Sequence, residues 1–354
     1  MSRFFSAKYD ALTPYTPGEQ PRNQQYIKLN TNESPFPPSP RAQARAAAEL
    51  DKLQLYSDPT CASLVSEAAK ALGVAEDEII FSNGSDEVLN FAFMAFCDES
   101  CPAVFPDITY GFYKVFAKLN AIPYEEIPLK EDFSLDISDY FGKKATIFIA
   151  NPNAPTGLYL NLSQIEEILK ANPDNVVVID EAYIDFGGET AIPLTKKYNN
   201  LLVVQTFSKS RSMAGARLGF AVGCKELIQD LNTIKYSVNP YNVNRMTMAA
   251  GVGALEDDAY FHANCQAIMD NRQWTTGQLS RLGFDTLPSL TNFVFTKNSA
   301  IPGKELYLRL KAKGILVRHF DTPRLNSYVR VTIGSKEQMA AFIRTIKEIL
   351  EEFK

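Results

Sequence analysis

An alternation of short apolar runs with helical stretches, between residues 60 and 250, is the feature that most constrains this chain. "EIIFSNG" is typical of a strand that ends in a turn, and the helical "SDEVLNFAFMAF" follows it. "ATIFIANPN", "VVVIDEAY" and "LLVVQTFSK" are further apolar runs that end in polar residues. Nearly continuous apolar strands suit a parallel sheet that helices cover on both faces. The pattern therefore predicts an α/β fold with a mostly parallel sheet.

Polar residues follow four of these predicted strands at the same end. They are Asn83–Asp86, Asn151–Gly157, Asp180–Tyr183 and Thr206–Lys209. In open α/β sheets, ligands bind beyond the carboxyl ends of the strands. We therefore expect the functional site to lie there.

The rest of the chain predicts a second, smaller domain. A helical region spans 244–282, and "NFVFTK", a helix over 303–313, "ILVRHF", "YVRVTIG" and a terminal helix follow it. This order is typical of an α+β domain. The first 40 residues are polar and rich in proline. We expect an N-terminal arm (1–40) that packs with the small domain or a partner subunit, a large domain (41–250) and a small C-terminal domain (251–354).

Composition argues against several classes of protein. The net charge is −5, with both signs interspersed, so no nucleic-acid partner is expected. No run approaches the roughly 20 apolar residues of a membrane helix, and the N-terminus lacks signal-peptide features, so we expect a cytoplasmic protein. The five cysteines form no CxxC pair, and His262 and His319 share no metal-ligand spacing. No metal site or Ser-His-Asp triad is expected.

Lys209 is the residue whose position in the sequence most clearly indicates a chemical function. It lies directly after an apolar strand, in "TFSKSRSMAGARLGF". A lysine desolvated at a strand end can lose its proton and form a Schiff base with a carbonyl. Pyridoxal phosphate is the common cellular partner of such a lysine. It requires a carboxylate on its ring nitrogen, a cradle for its phosphate and groups that hold its 3-oxygen and its ring face.

The chain offers candidates for each requirement. Those for the phosphate are the backbone N–H groups of Gly84, Ser85 and Asp86 at a helix start, together with Thr206, Ser208 and Arg217. Those for the ring are Asp180 at its nitrogen, Tyr183 at its 3-oxygen and Tyr110 stacked on its face. Each has a plainer explanation when taken alone, such as a helix cap, a strand-end aspartate or a core aromatic. Together they predict one site.

These segments resemble a known family over almost the whole chain. "LNTNESPFPPSP", "NPNAPTG", "IDEAYIDF", "TFSKSRSMAGARLGF" and "VRVTIG" are similar to segments of aminotransferase class I/II, a family of pyridoxal-phosphate enzymes of fold type I. "LNTNESPFPPSP" and "NGSDE" resemble the histidinol-phosphate branch of that family. The resemblance implies amino-group transfer between glutamate or 2-oxoglutarate and a phosphorylated substrate, namely histidinol phosphate or imidazole-acetol phosphate.

The resemblance also implies a function for individual residues. Lys209 would bind the cofactor covalently and carry the proton, and Arg330 would bind the glutamate α-carboxylate. Tyr56 matches a tyrosine that crosses to the partner subunit's cofactor phosphate, which implies a homodimer with shared active sites. The remaining positions near the substrate are Tyr15, Asn32 and Arg318. Arg318 is a candidate for the substrate phosphate, and an exposed surface arginine is an equal alternative.

One position departs from the family pattern. The family usually has asparagine directly before Pro-Thr-Gly, at the cofactor's 3-oxygen, whereas this chain has Ala154 there and Asn153 before it. We expect Asn153 to reach the ring oxygen after a local shift. The alternative is that Tyr183 and water hold that oxygen alone.

Other functions remain open at this level. An aromatic amino acid aminotransferase and a lyase similar to threonine-phosphate decarboxylase would have the same cofactor site. A regulatory module of aminotransferase fold would carry an added DNA-binding domain, and the arm is too short and insufficiently basic for one.

Overall fold

The computed structural model describes residues 2–10, 12–20 and 24–353, so the predicted arm includes five positions, 1, 11 and 21–23, outside the described part. The strands are β1 Ile27–Lys28, β2 Ile79–Ser82, β3 Ala103–Pro106, β4 Tyr124–Ile127, β5 Thr146–Ala150, β6 Val177–Asp180, β7 Leu201–Thr206, β8 Gly219–Gly223, β9 Phe284–Thr286, β10 Phe293–Asn298, β11 Ile315–Leu316, β12 Arg318–His319 and β13 Tyr328–Thr332. The α-helices are α1 Pro40–Ala47, α2 Ala62–Leu72, α3 Ser85–Phe96, α4 Phe112–Leu119, α5 Leu162–Ala171, α6 Lys225–Val238, α7 Arg245–Leu255, α8 Asp258–Arg281, α9 Gly303–Ala312 and α10 Lys336–Glu352.

The largest sheet of the described residues contains seven strands in the order β2-β8-β7-β6-β5-β3-β4. Neighbouring pairs from β7 to β4 are parallel, whereas β8 is antiparallel to both β2 and β7. Strands β5, β6 and β7 are buried along their whole length, as expected where helices cover both faces. The predicted α/β class with a mostly parallel sheet is confirmed.

Successive residues of the central strands enter two different hydrophobic clusters. Ile147 and Ile149 of β5 belong to a cluster with residues of α1, α2, α5 and α7. Phe148, between them, belongs to a second cluster with residues of α3, α4 and α6. Because side chains of a strand alternate between its two faces, each cluster is the core on one side of the sheet. The result is a three-layer unit whose polar groups emerge at the strand ends.

The carboxyl ends of the sheet bring the predicted polar segments together. Ala150 pairs with Asp180, and Asp180 with Val204, so β5, β6 and β7 end side by side. On the other side, Gly219 of β8 pairs with both Thr206 and Ser82. The segments that follow β2, β5, β6 and β7 therefore begin along one edge.

A smaller unit follows α7. Within the described residues, four antiparallel strands form a sheet in the order β12-β13-β10-β9, and residues of α8, α9 and α10 complete its hydrophobic cluster. The arm is tied to this unit by the parallel pairing of β1 with β11 and by Leu29, which lies in the same cluster.

The helical region predicted over 244–282 consists of two helices, α7 and α8, that belong to different cores. Met248, Val252 and Leu255 of α7 lie in the cluster of the large sheet, whereas Cys265 and Ile268 of α8 lie in the cluster of the small unit. We propose on this basis that the large domain extends to the end of α7, a few residues beyond the predicted boundary.

Candidate active site

Two adjoining cavities lie at the carboxyl edge of the large sheet, and Lys209 lines both of them. The smaller one has a volume of about 80 Å³ and the larger one about 750 Å³. The smaller cavity is lined by most of the residues predicted to bind the cofactor, which are Ser85, Asp86, Tyr110, Asp180, Tyr183, Thr206, Ser208, Lys209 and Arg217. Residues from four strand ends thus converge on one amine.

Lys209 follows β7 and has an environment that favours its neutral form. Burial of the amine and, to a smaller extent, the nearby Arg330 guanidinium lower its pKa to about 8. The Asp86 and Glu33 carboxylates act in the opposite direction. The Nζ atom lies 5.9 Å from the centre of the Tyr183 ring. A neutral fraction near physiological pH is what a nucleophilic lysine requires.

The start of α3 forms a cradle for an anion. Gly84 has a φ of +76°, and a Cβ atom there would lie 2.5 Å from Nη2 of Arg217. A Cβ atom on Gly219 would lie 2.3 Å from the backbone nitrogen of Ser85, so β8 also approaches this turn closely. The helix N-terminus and the Arg217 guanidinium therefore face the same small space. This combination is suited to a phosphate.

Hydroxyl groups complete the cradle. Thr206 Oγ1 donates to Ser208 Oγ at 3.0 Å, and the backbone N–H of Ser208 donates to Thr206 Oγ1 at 3.1 Å. Arg217 Nη2 donates to Asp86 Oδ2 at 2.8 Å, and the Tyr110 hydroxyl donates to Asp86 Oδ1 at 2.6 Å.

Asp180 ends β6 and is 4% exposed. Burial outweighs the hydrogen bond from Tyr113, which acts in the opposite direction, and the pKa of Asp180 is raised to about 6. The Tyr113 hydroxyl donates to Asp180 Oδ2 at 2.9 Å. Sequence reasoning missed Tyr113, because its partner Asp180 lies 67 residues away in the chain. A carboxylate so placed can accept a proton shared with a ring nitrogen, so the cavity fits pyridoxal phosphate.

Tyr183 is oriented by the arm. Asn32 Nδ2 donates to the Tyr183 hydroxyl oxygen at 2.9 Å. Asn32 is itself held by Thr332, whose hydroxyl donates to Asn32 Oδ1 at 3.0 Å, and by Asn292 Nδ2, which donates to its carbonyl at 2.9 Å. The predicted substrate residue Asn32 thus links the arm, the small sheet and the cofactor side of the cavity.

The structure does not bring Asn153 to either cavity lining. Its Nδ2 donates to the Ile108 carbonyl and to Thr156 Oγ1, both at 3.0 Å, and its Oδ1 accepts from Thr109 Oγ1 at 2.8 Å. Ala154 lines both cavities instead. The amide of Asn153 is bound by Ile108 and Thr109 in the loop after β3 and by Thr156, so a shift toward the ring oxygen would have to break these hydrogen bonds.

The larger cavity gathers the predicted substrate residues. Tyr15, Asn32, Arg318 and Arg330 all line it. Arg330 Nη2 donates to the Asn30 carbonyl at 3.1 Å, while its buried Nε has no partner among the described residues. Arg318 donates to the carbonyls of Thr16 and Pro17, both at 3.4 Å, so it reaches the arm. Guanidinium groups with N–H donors that are unpaired or weakly paired can bind a carboxylate or a phosphate.

Arg324 and Asp107 also line this cavity, and sequence reasoning did not select them. Arg324 Nη1 lies 3.3 Å from Asp107 Oδ2, and Nη2 donates to the Lys130 carbonyl at 2.5 Å. Arg324 belongs to the small unit and its two partners to the large one. The signal in the sequence was weak, because a lone arginine in a loop is most often exposed.

Tyr56 lies away from both cavities of its own chain. It is 81% exposed and stacks on Tyr241, with ring centres 4.7 Å apart. Within the ranges that the structure describes, there is no cluster of three or more potential metal-binding residues, and no helix could span a membrane.

The chain is similar to known proteins over nearly its whole length. The aminotransferase class I and II family matches residues 24–346. The chain is 51% identical to the histidinol-phosphate aminotransferase of Brachyspira hyodysenteriae, over 99% of this chain and 100% of that protein. It is 48% identical to histidinol-phosphate aminotransferase 2 of Dechloromonas aromatica, over 99% of each chain.

Solved structures share the fold. Histidinol-phosphate aminotransferase of Sinorhizobium meliloti, solved in complex with pyridoxal 5'-phosphate, superposes with a TM-score of 0.86 at 23% identity, covering 94% of this chain and 92% of that one. L-threonine-O-3-phosphate decarboxylase of Porphyromonas gingivalis superposes with a TM-score of 0.79 at 22% identity, covering 92% and 99%. The match over nearly its whole length shows that this chain belongs to the aminotransferase class I and II family.

Proposed function

We propose that this protein is a pyridoxal-phosphate-dependent histidinol-phosphate aminotransferase, which exchanges an amino group between glutamate and imidazole-acetol phosphate in histidine biosynthesis. One observation carries the proposal. The same amine, Lys209, faces a small cavity suited to the cofactor and a large cavity with Arg318 and Arg330. The full-length similarity to proteins of that activity selects the substrate.

Residues of this chain would bind the cofactor and transfer the proton. Pyridoxal phosphate, when bound, supplies an electron sink next to the reacting carbon. Asp180 would hold the ring nitrogen in its protonated form, and the α3 cradle with Arg217 would bind the phosphate. The Lys209 amine, with a pKa of about 8, would take a proton from the substrate carbon that bears the amino nitrogen and deliver it to the carbon on the other side of that nitrogen.

The two amino-group partners carry different anions. Glutamate carries carboxylates, whereas histidinol phosphate carries a phosphate and an imidazole. Arg330 is anchored by one bond to Asn30 and keeps its Nε unpartnered among the described residues, so it can bind either anion. Arg318 is held by two long bonds to the arm, which a substrate anion can replace.

We also propose a homodimer with shared active sites. Large apolar side chains are exposed close together in sequence before α2 and around the end of α6; they are Leu50, Leu53, Leu55, Tyr56, Tyr236, Val238 and Tyr241. The stack of Tyr56 on Tyr241 joins the two segments. An exposed apolar patch of this kind is typical of a subunit interface. A partner on this patch would cover Tyr56 and bring it toward the partner's cofactor phosphate.

Mixing inactive variants tests the shared sites. Lys209→Ala and Tyr56→Ala homodimers would each be impaired, and hybrids formed by refolding them together would contain one site with both residues intact. Recovery of activity in the mixture supports the proposal. A monomeric mass in sedimentation, or a mixture no more active than its components, contradicts it. We further propose a cytoplasmic location, which fractionation of the source cells tests.

The substrate assignment is tested with the cofactor-loaded protein. L-Histidinol phosphate, L-phenylalanine and O-phosphothreonine are added separately, and the cofactor's absorbance and the 2-oxoglutarate-dependent formation of glutamate are followed. Conversion at low histidinol phosphate, with little response to phenylalanine, is expected. An equal response to phenylalanine would make the protein an aromatic aminotransferase, and release of carbon dioxide from phosphothreonine alone would make it a lyase.

A further inference from the structure

Asp180 has few groups that stabilise its negative charge. Its Oδ2 accepts from the Tyr113 hydroxyl at 2.9 Å, and its Oδ1 accepts from the backbone N–H of Ala182 at 3.3 Å. The nearby Asp86 carboxylate opposes ionisation, as does burial. The hydroxyl of Tyr113 is therefore the nearest donor to the anion.

The side chain of Tyr113 is held in a fixed position from which its hydroxyl can donate a hydrogen bond. It lies in the first turn of α4, is 0% exposed and is surrounded by aromatic rings. The ring centres of Phe105 and Phe148 both lie 5.8 Å from its own, and Tyr110 meets it edge-on at 5.7 Å. Burial raises the pKa of its hydroxyl well above the ordinary value, so its proton stays on the oxygen. This packing holds the hydroxyl oxygen within hydrogen-bond distance of Asp180.

We propose that Tyr113 is a positioning residue that keeps Asp180 ionised and oriented toward the cofactor's ring nitrogen. The proposal rests on the proposed function, since it assigns to Asp180 the pairing with that nitrogen. Two consequences follow from it. Removing the hydroxyl makes the Asp180 anion harder to form, and the cofactor, whose protonated nitrogen pairs with that anion, binds less tightly.

The test variant is Tyr113→Phe, which keeps the ring and removes the hydroxyl. Its dissociation constant for pyridoxal phosphate is measured with cofactor-free protein by fluorescence across pH 5 to 8. We expect binding about tenfold weaker near neutral pH, corresponding to loss of one hydrogen bond to a charged group. We also expect the pH below which affinity falls to move upward, because Asp180 then gains its proton more easily. In the loaded enzyme kcat should fall while KM for histidinol phosphate changes little.

Two further variants separate this effect from a general loss of packing. Tyr140 is also 0% exposed, and its hydroxyl has no partner among the described residues, so Tyr140→Phe removes a buried hydroxyl elsewhere. It should leave the affinity and its pH profile unchanged. In an Asp180→Asn background, Tyr113→Phe should weaken cofactor binding little further, because the two residues act as a unit.

The outcomes are distinguishable from a failure of the proposed function. A Tyr113→Phe variant with unchanged affinity and pH profile would overturn the inference, as would fully additive losses in the double variant. If histidinol phosphate proves not to be the substrate but the cofactor measurements behave as expected, the inference about Tyr113 stands and the substrate assignment fails.

Discussion

Arg217 and Asp86 form an ion pair at 2.8 Å directly over the start of α3. The second oxygen of Asp86 accepts from the Tyr110 hydroxyl at 2.6 Å, so both carboxylate oxygens are engaged. This arrangement holds the guanidinium above Gly84. A phosphate bound in the cradle would therefore compete with the Asp86 carboxylate for Arg217.

Arg217→Gln should weaken cofactor binding by about tenfold or more, because it removes the charged donor at the cradle. The affinity of the variant should also depend less on salt, since the lost interaction is electrostatic. Equilibrium dialysis with pyridoxal phosphate at two salt concentrations measures both effects. Lys225→Gln is a matched control, because Lys225 pairs with Asp77 on the surface. An unchanged dissociation constant in Arg217→Gln would remove the residue from the phosphate site.

Gly219→Ala should disrupt the phosphate cradle at the start of α3, on the side formed by β8. The new Cβ would lie 2.3 Å from the Ser85 nitrogen and 2.5 Å from the Gly84 carbonyl carbon, so the backbone of β8 and the turn must separate. We expect a loss of cofactor affinity together with a lower melting temperature. At Gly215 a Cβ atom would meet nothing within 4 Å, so Gly215→Ala should leave both unchanged. Normal cofactor binding by Gly219→Ala would show that the close approach is not needed.

The pKa of Lys209 predicts how fast the cofactor-free protein captures pyridoxal phosphate. Only the neutral amine attacks, so the rate should rise with pH and level off above about 8. Arg330→Gln removes a neighbouring positive charge, which raises the Lys209 pKa and moves the midpoint to higher pH. Asp86→Asn removes a negative charge and should move it to lower pH. Stopped-flow absorbance measures the rates, and shifts in the same direction for both variants would contradict this electrostatic account.

The sequence predicted the edge of the sheet on which the site lies, because strand ends and polar clusters are local features. Asp180, Thr206 and Lys209 line the smaller cavity as expected. Tyr113 and Arg324 were not predicted, because each matters through a partner distant in the chain. Tyr113 lies 67 residues from Asp180, and Arg324 lies 217 residues from Asp107. Hydrophobic periodicity carries no information about such pairs.

Asn153 is a second residue whose contacts with distant parts of the chain could not be predicted from the sequence motif. A shift of one residue toward the cofactor was plausible from the motif, but three hydrogen bonds to Thr109, Ile108 and Thr156 hold the amide elsewhere. Asn153→Ala should therefore lower the free energy of unfolding by about 1 to 3 kcal/mol. It should not change the pH at which the visible absorbance of the bound cofactor changes. Ala154→Asn adds a polar group at the cavity and should move that pH. An absorbance titration of both variants shows whether residue 153 or residue 154 lies next to the cofactor's ring oxygen.

Arg324 joins the two units across the large cavity. It donates from the small unit to Asp107 and to the Lys130 carbonyl of the large unit, and its guanidinium lies 5.3 Å from the Phe133 ring centre. Because these contacts hold the two walls of the cavity together and none of them involves Lys209, Arg324→Ala should raise KM for both substrates several-fold and change kcat little. Asp107→Ala should act in the same direction with a smaller effect, because it leaves the contacts of Arg324 with Lys130 and Phe133 in place. The double variant should resemble Arg324→Ala, since the ion pair is already lost in that variant. Steady-state kinetics with glutamate and with histidinol phosphate measures this. A fall in kcat at constant KM would instead mean that Arg324 acts on the chemical step.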